Sequence, residues 1–301
     1  MAVTLALAFA TTRMLKENNL VRLLRSCETM GNATVICSDK TGTLTQNQMT
    51  AVVGFFGSHE KFGHMPSDDD QSSPTALEVS SRFPASFRDL LVKSIALNCT
   101  AFEEVQENGK QFIGNKTEVA LLRFAREYLG MTDLGEEKSN ADVEHVYPFE
   151  SGRKSMGVVY RTDSGGSRLL VKGAAELVLD MSTQMVATGQ SEATHITVEP
   201  ISKADHKVIS GNIDNYASRS LRTIGLAYRD LSECPSGNSV DHEKGLPSYE
   251  QLLHDMTWIG AFGIQDPLRP EVPGAIRKCH SAGVQVKMVT GQSTWSSIFT
   301  S

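Results

Sequence analysis

The stretch Thr34-Val35-Ile36-Cys37-Ser38-Asp39-Lys40-Thr41-Gly42-Thr43-Leu44-Thr45 limits the possible folds more than any other part of the chain. A short apolar run that closes on an acid, followed by a turn of small residues with a glycine, predicts a buried parallel strand over Asn32–Asp39. Such a strand delivers a carboxylate to its carboxyl end, where open α/β sheets bind their ligands. Asp39 is therefore the candidate nucleophile. An aspartate that only caps the following turn is the simpler alternative, but it gives no role to Lys40 or to the hydroxyls of Thr41 and Thr43. Those neighbours suit a phosphoryl group.

A chain of 301 residues with 40% hydrophobic composition can bury one or two cores, and its length favours about two domains. The net charge of -6 argues against nonspecific nucleic-acid binding, which calls for a basic patch. The 5 cysteines are widely spaced, odd in number and without a Cys-x-x-Cys pair, which reads as reduced thiols. The histidines have no zinc-ligand spacing. Met1–Ala10 is apolar but shorter than the ~20 residues of a spanning helix. Ala8-Phe9-Ala10 fits a small-x-small cleavage pattern, yet no positive segment precedes it and Arg13 and Lys16 follow. The cytoplasmic end of a membrane helix is the better reading.

Further along, 58–86 is polar, with Asp68-Asp69-Asp70, and reads as an exposed loop. Helical spacing returns over Phe87–Leu97, and Gly114-Asn115-Lys116-Thr117-Glu118 opens a second helix ending near Gly130. At that position Glu118 is ordinary helix-start chemistry, an acid favoured by the dipole. Gly157-Val158-Val159-Tyr160 and Leu169-Leu170-Val171 predict an antiparallel hairpin across Asp163–Gly166, with Lys172-Gly173 placed after it at the mouth of a helix. An aromatic beside a strand, such as Phe149, is more often core than ligand contact. Ile201–Ser220 reads as helix, Leu221–Tyr228 as strand and 233–248 as a surface loop. Thr257–Ile264 reads as a strand returning to the first domain. Asp266-Pro267-Leu268-Arg269-Pro270 then makes a rigid connection. Val272–Ala282 reads as helix and Val284–Gly291 as another buried strand.

Asp39-Lys40-Thr41-Gly42-Thr43-Leu44-Thr45 resembles the phosphorylation motif of P-type ATPases. Asn18-Asn19-Leu20-Val21-Arg22 and Cys27-Glu28-Thr29-Met30-Gly31-Asn32-Ala33-Thr34 resemble the calcium-transporting members, of the plasma-membrane and fungal vacuolar class. The likeness runs to about Gly291. It implies an incomplete Rossmann-like, haloacid-dehalogenase-type α/β phosphorylation domain with an inserted α+β nucleotide-binding domain built on an antiparallel sheet. The implied boundaries are 1–30 for the end of the fourth membrane helix and stalk, 31–50 and 263–301 for the phosphorylation domain, and 51–262 for the insert. The family's Phe-x-x-x-Arg-Lys-Ser-Met and Lys-Gly-Ala patterns match Phe149–Met156 and Lys172–Ala174. By resemblance Phe149 stacks the adenine of ATP, Glu118 accepts from its exocyclic amine, and Lys154, Lys172 and Gly173 line the pocket. Arg222 contacts phosphates, as a planar guanidinium fork allows. Asp266 and Arg269 match the family's Asp-Pro-x-Arg hinge, and Thr290 and Gly291 meet the transferred phosphoryl. Ser151 stands where the calcium pump of muscle reticulum has arginine.

The same resemblance makes Asp39, Lys40 and Thr41 catalytic and assigns Mg²⁺ to Asp39 and the Thr41 carbonyl. Related phosphatases carry a second aspartate two residues after the nucleophile, whereas Thr41 cannot shuttle protons near neutrality, so an acyl-phosphate would persist. Persistence is what a transport cycle needs. The implied parent is a calcium pump of the vacuolar or plasma membrane, with this portion facing the cytoplasm and joined to the bilayer through further helices. After Gly291 the pattern departs: Gln292 replaces an aspartate, and neither the metal-binding Gly-Asp-Gly-x-Asn-Asp loop nor the actuator Thr-Gly-Glu-Ser has a counterpart. A fragment with an aberrant tail is the expectation. Two functions are thus weighed, an ATP-driven pump's phosphorylated core and a non-catalytic ATP-binding module.

Overall fold

The structure, a computed structural model, describes residues 2–63, 73–106, 109–163, 165–187, 196–231 and 248–289. The chain divides into two compact units, one formed by 1–47 with 266–301 and the other by 48–265. The first unit opens with α1 (Ala2–Lys16) and α2 (Arg25–Gly31), and no helix among the described residues is long and apolar enough to cross a membrane. β1 (Val35–Asp39) then runs into a wide turn, Lys40–Leu44, closed by the Thr45 amide donating to the Lys40 carbonyl at 3.1 Å.

The second unit is a mixed α/β body on a largely antiparallel sheet. Its elements in order are β2 (Thr50–Phe56), β3 (Glu60–Phe62), α3 (Ala76–Arg82), α4 (Ala85–Ala96), β4 (Phe102–Gln106), β5 (Gly109–Ile113), α5 (Lys116–Phe124), α6 (Leu134–Asn140), β6 (Asp142–Glu150), β7 (Ser155–Arg161), β8 (Ser167–Ala174), α7 (Ala175–Asp180), β9 (Ser182–Val186), β10 (Val198–Pro200), α8 (Lys203–Ser218), β11 (Arg222–Leu231), α9 (Tyr249–Leu252) and β12 (Met256–Gln265). Among the described residues the main sheet has nine strands in the order β10-β9-β12-β11-β8-β7-β6, with β2 on β12 and β3 on β2. β4 and β5 form a separate hairpin. β12 is the axis: one edge pairs antiparallel with β11, the other first parallel with β9 and then antiparallel with β2.

A strand buried on both faces needs a continuous apolar run, and Met256–Ile264 is one, buried throughout. One face of the sheet takes α3, α4 and α5 through an aromatic cluster of Phe56, Phe62, Phe83, Phe87, Phe124 and Phe262. Its rings meet edge to face, as Phe56–Phe83 at 5.1 Å and Phe124–Phe262 at 4.9 Å. The other face takes α7 and α8 over Phe55, Trp258 and Tyr216, with the Trp258 indole donating to the Gly57 carbonyl at 3.2 Å. The chain then returns to the first unit with α10 (Val272–Ser281) and β13 (Gln285–Val289), which pairs parallel with β1 from Val35↔Gln285 to Asp39↔Val289.

Several expectations need correction. β1 and β13 are not buried strands: Val35, Ile36 and Val289 are exposed, because among the described residues these strands pair only with each other and α10 buries no residue. β12, read as the strand that returns the chain to the first domain, fills the centre of the second unit's sheet as far as Gln265. Lys172 and Gly173 lie inside β8 rather than after it, and α7 starts at Ala175. The segment 58–86 is not simply loop, because β3 and α3 lie in it and Phe62, Val79 and Phe83 join the core; 64–72 are outside the described residues. Most of the 233–248 loop, and Thr290 and Gly291, also fall outside them.

Candidate functional site

In the second unit the chemistry gathers where the start of α5 meets β8. Asn115 caps α5 by accepting from the Thr117 amide at 2.9 Å, which points the first turn of the helix, and with it Glu118, at the sheet. Lys172, in mid-strand, donates to Glu118 Oε1 at 2.9 Å, and both side chains are 9% exposed. The second carboxylate oxygen is also engaged: Oε2 accepts from the Thr100 amide at 3.0 Å and from the Thr100 hydroxyl at 2.8 Å. Burial pushes the Glu118 pKa up, but the Lys172 ammonium and the two Thr100 donors outweigh it and hold the carboxyl below its ordinary value. Arg222, first residue of β11, donates to the Thr117 hydroxyl. Two hydrogen-bonded pairs, Glu118–Lys172 and Thr117–Arg222, thus join the first turn of α5 to β8 and β11.

The neighbouring edge of the sheet supplies an aromatic. β6 pairs with β7 from Asp142 to Tyr147 and again at Glu150↔Ser155, with a one-residue shift between. Pro148 and Phe149 thus stand opposite the single residue Met156, a bulge that resets the in-out alternation after Tyr147. Tyr147 is buried in the α7–α8 core, whereas Phe149 is 58% exposed. Met156 in turn faces Lys172 across β7–β8. The next turn brings Lys154 in the left-handed region, φ 48°, rare for a residue with a side chain. Two hydrogen bonds hold it there, Lys154 N–H to the Glu150 carbonyl at 2.8 Å and Ala174 N–H to the Lys154 carbonyl at 3.0 Å. Gly173 permits this approach, since a Cβ at that position would sit 2.8 Å from the Lys154 carbonyl oxygen.

In the first unit, Asp39 ends β1 exposed, and its Oδ1 accepts the Lys40 amide at 2.7 Å. The turn beyond it is fastened by residues more than two hundred positions away. Thr45 donates its hydroxyl to Asp266 Oδ2 at 2.7 Å and accepts the Gly42 amide at 3.2 Å. The Arg269 guanidinium donates to the Gly42 carbonyl at 2.8 Å, and the Arg269 amide to the Leu44 carbonyl at 2.9 Å. Among the described residues Asp266 and Arg269 therefore contact the Asp39 turn. No group of three or more His, Cys, Asp or Glu able to hold a metal occurs among the described residues.

Residues 86–271 match the family described as P-type ATPase, cytoplasmic domain N. The chain belongs to the P-type ATPases. It is 43% identical to Calcium-transporting ATPase 2 of Cryptococcus neoformans over 97% of this chain and 22% of that protein. Calcium-transporting ATPase 2 of Schizosaccharomyces pombe is 42% identical over 97% of this chain and 24% of its own length. Plasma membrane calcium-transporting ATPase 3 of Homo sapiens is 39% identical, with 97% and 22% covered. The chain spans less than a quarter of the length of these three relatives.

The structure sets the residues singled out by the family resemblance, Glu118, Phe149, Lys154, Lys172 and Arg222, on α5, β6, the β6–β7 turn, β8 and β11. Sequence reasoning missed Thr100 and Thr45. Thr45 closes the Asp39 motif and could have been singled out as its last hydroxyl. Thr100 carries no local signal: it lies between α4 and β4, outside any periodic run.

Proposed function

We propose that the second unit binds ATP at the Glu118–Lys172 pair and that Asp39 accepts its γ-phosphoryl group, within a calcium-transporting ATPase of a membrane. The observation that carries this reading is a buried carboxylate–ammonium pair, Glu118–Lys172, in a sheet that also carries an exposed aromatic, Phe149, on a bulged strand. Buried charged pairs contribute little net stability compared with an apolar pair, so one kept in such a sheet argues for a ligand. Glu118 and Lys172 present an acceptor and a donor to a base edge, Phe149 stacks the ring, and Lys154 and Arg222 meet phosphate oxygens.

At the first unit, a carboxylate oxygen of Asp39 forms the bond to the γ-phosphorus while the bond from that phosphorus to the bridging oxygen breaks. ADP leaves, and an aspartyl-phosphate remains. Thr41 provides no proton shuttle to hasten its hydrolysis. Lys40 brings positive charge next to the nucleophile, while Arg269 and the Thr45–Asp266 bond fix the turn that carries it. The Asp39 carboxylate and the Thr41 carbonyl are hard oxygen donors, which fits Mg²⁺. When bound, that ion neutralises charge on the transferred phosphoryl. The family relatives' names support calcium as the ion of the whole pump.

Two assays test this reading. Titration with a fluorescent ATP analogue should show affinity that falls about tenfold or more in Phe149→Ala, the loss of one base–aromatic stack, and falls in Lys172→Ala as well. Incubation with γ-labelled ATP should give acid-stable label that Asp39→Asn abolishes. Unchanged affinity in both pocket variants would remove the nucleotide site. Binding without label would leave an ATP-binding module.

A further inference from the structure

The loop between α4 and β4 ties the Glu118 carboxylate to a part of the molecule that the proposed nucleotide contacts do not use. Lys138, on α6, donates to the Cys99 carbonyl at 3.2 Å and to the Ala101 carbonyl at 2.9 Å. Those two bonds grip the loop on either side of Thr100. On its other flank Ala101 packs against Gly114, where a Cβ would stand 2.8 Å from the Ala101 Cα. Gly114 is also at φ +149°, and it immediately precedes the cap of α5. The loop is thereby seated against the start of the helix that carries Glu118, with both Thr100 donors on Oε2.

We propose that Thr100 is a specificity-determining positioning residue: it locks Glu118 in the orientation that accepts from a 6-amino purine and rejects a 6-oxo purine. This inference rests on the nucleotide site proposed above. A carboxylate offers about four lone-pair sites. Lys172 takes one and Thr100 two, which leaves a single acceptor position whose direction is fixed by the other three. An exocyclic amine satisfies that position. A 6-oxo group would set its own lone pairs against it, leaving a buried acceptor unpaired, and unpaired polar groups are what give a site strong discrimination. With the Thr100 hydroxyl removed, Oε2 keeps only the Thr100 amide, and the acceptor direction is held less firmly.

The test uses the full chain and competition of ATP and ITP against a fluorescent nucleotide. Thr100 is exposed, so Thr100→Val keeps the branched side chain and opens no cavity. The preference for ATP over ITP should fall about tenfold in Thr100→Val, the fold-change equivalent of one hydrogen bond to a charged group, and Thr100→Ser should restore it. A purely structural role would weaken both nucleotides equally. An unchanged ATP:ITP ratio in Thr100→Val, with Lys172→Ala still weakening binding, overturns the assignment to Thr100 alone. Absence of nucleotide binding by the unsubstituted chain, or binding indifferent to both Lys172→Ala and Phe149→Ala, overturns it together with the site.

Discussion

Lys172 and Glu118 hold each other in a buried setting, each side chain 9% exposed. Removing the ammonium leaves a carboxylate with Thr100 as its remaining donor among the described contacts, and breaking a buried pair from one side costs roughly 3–5 kcal/mol. Lys172→Met should therefore lower the denaturant midpoint strongly, and Lys172→Met combined with Glu118→Gln should recover much of the loss. If the double variant is no more stable than the single, the charge argument fails. The pair also sets a pH dependence. The Glu118 carboxyl is held below its ordinary value in the folded chain, so its contribution is complete above the unfolded carboxylate range, near pH ~4.3, and is lost as pH falls through the lowered folded value. Midpoints measured from neutral to acidic pH should show this decline in the native chain, and Glu118→Gln should lose that part of it.

At the level of elements, β8 and the β6–β7 turn approach closely, the Ala174 amide donating to the Lys154 carbonyl at 3.0 Å. Gly173→Ala would put a methyl 2.8 Å from both the Lys154 carbonyl oxygen and the Ser155 Cβ, and overpacking of this kind costs about 1–3 kcal/mol. Gly211, inside α8, has nothing within 4 Å of where its Cβ would stand. Gly211→Ala should instead stabilise by roughly 0.5–1 kcal/mol, the difference in helix propensity. Thermal melts of the two variants should move in opposite directions, and a parallel shift would refute the packing argument. The same elements show what the sequence could disclose. The β7–β8 hairpin was legible because two apolar runs flank a glycine turn, and α5 because a cap precedes an apolar period. β6 was not, since Pro148 interrupts its pattern; an edge strand tolerates that proline and a central one would not. β12 was legible as a strand from its unbroken apolar run, but its partners β2, β9 and β11 are set by non-local pairing that no local pattern encodes. The bonds from Asp266 to Thr45 and from Arg269 to Gly42 were equally invisible, as they join segments 221 and 227 residues apart.

Across the whole molecule the two units differ in how their strands are protected. β8, β11 and β12 lie inside a nine-stranded sheet with packed side chains on both faces, whereas among the described residues β1 and β13 pair only with each other and are largely exposed. Backbone hydrogen bonds open locally where few apolar contacts back them. Amides of β1 and β13 should thus exchange with solvent at least about a hundredfold faster than those of β8, β11 and β12. Nucleotide held at the proposed site would sharpen the contrast by mass action. A ligand that binds only the folded second unit at 100 times its Kd adds about 2.7 kcal/mol to that unit's stability. The slowest amides of β8 and β11, which exchange only when the unit opens as a whole, should then slow about a hundredfold in saturating ATP, consistent with that free energy. β1 and β13 should keep their rates under the same conditions, because their opening does not require the second unit to unfold. Equal slowing of both sets would mean that the chain opens as one cooperative body, and no slowing of β8 would mean that ATP does not bind beside Lys172.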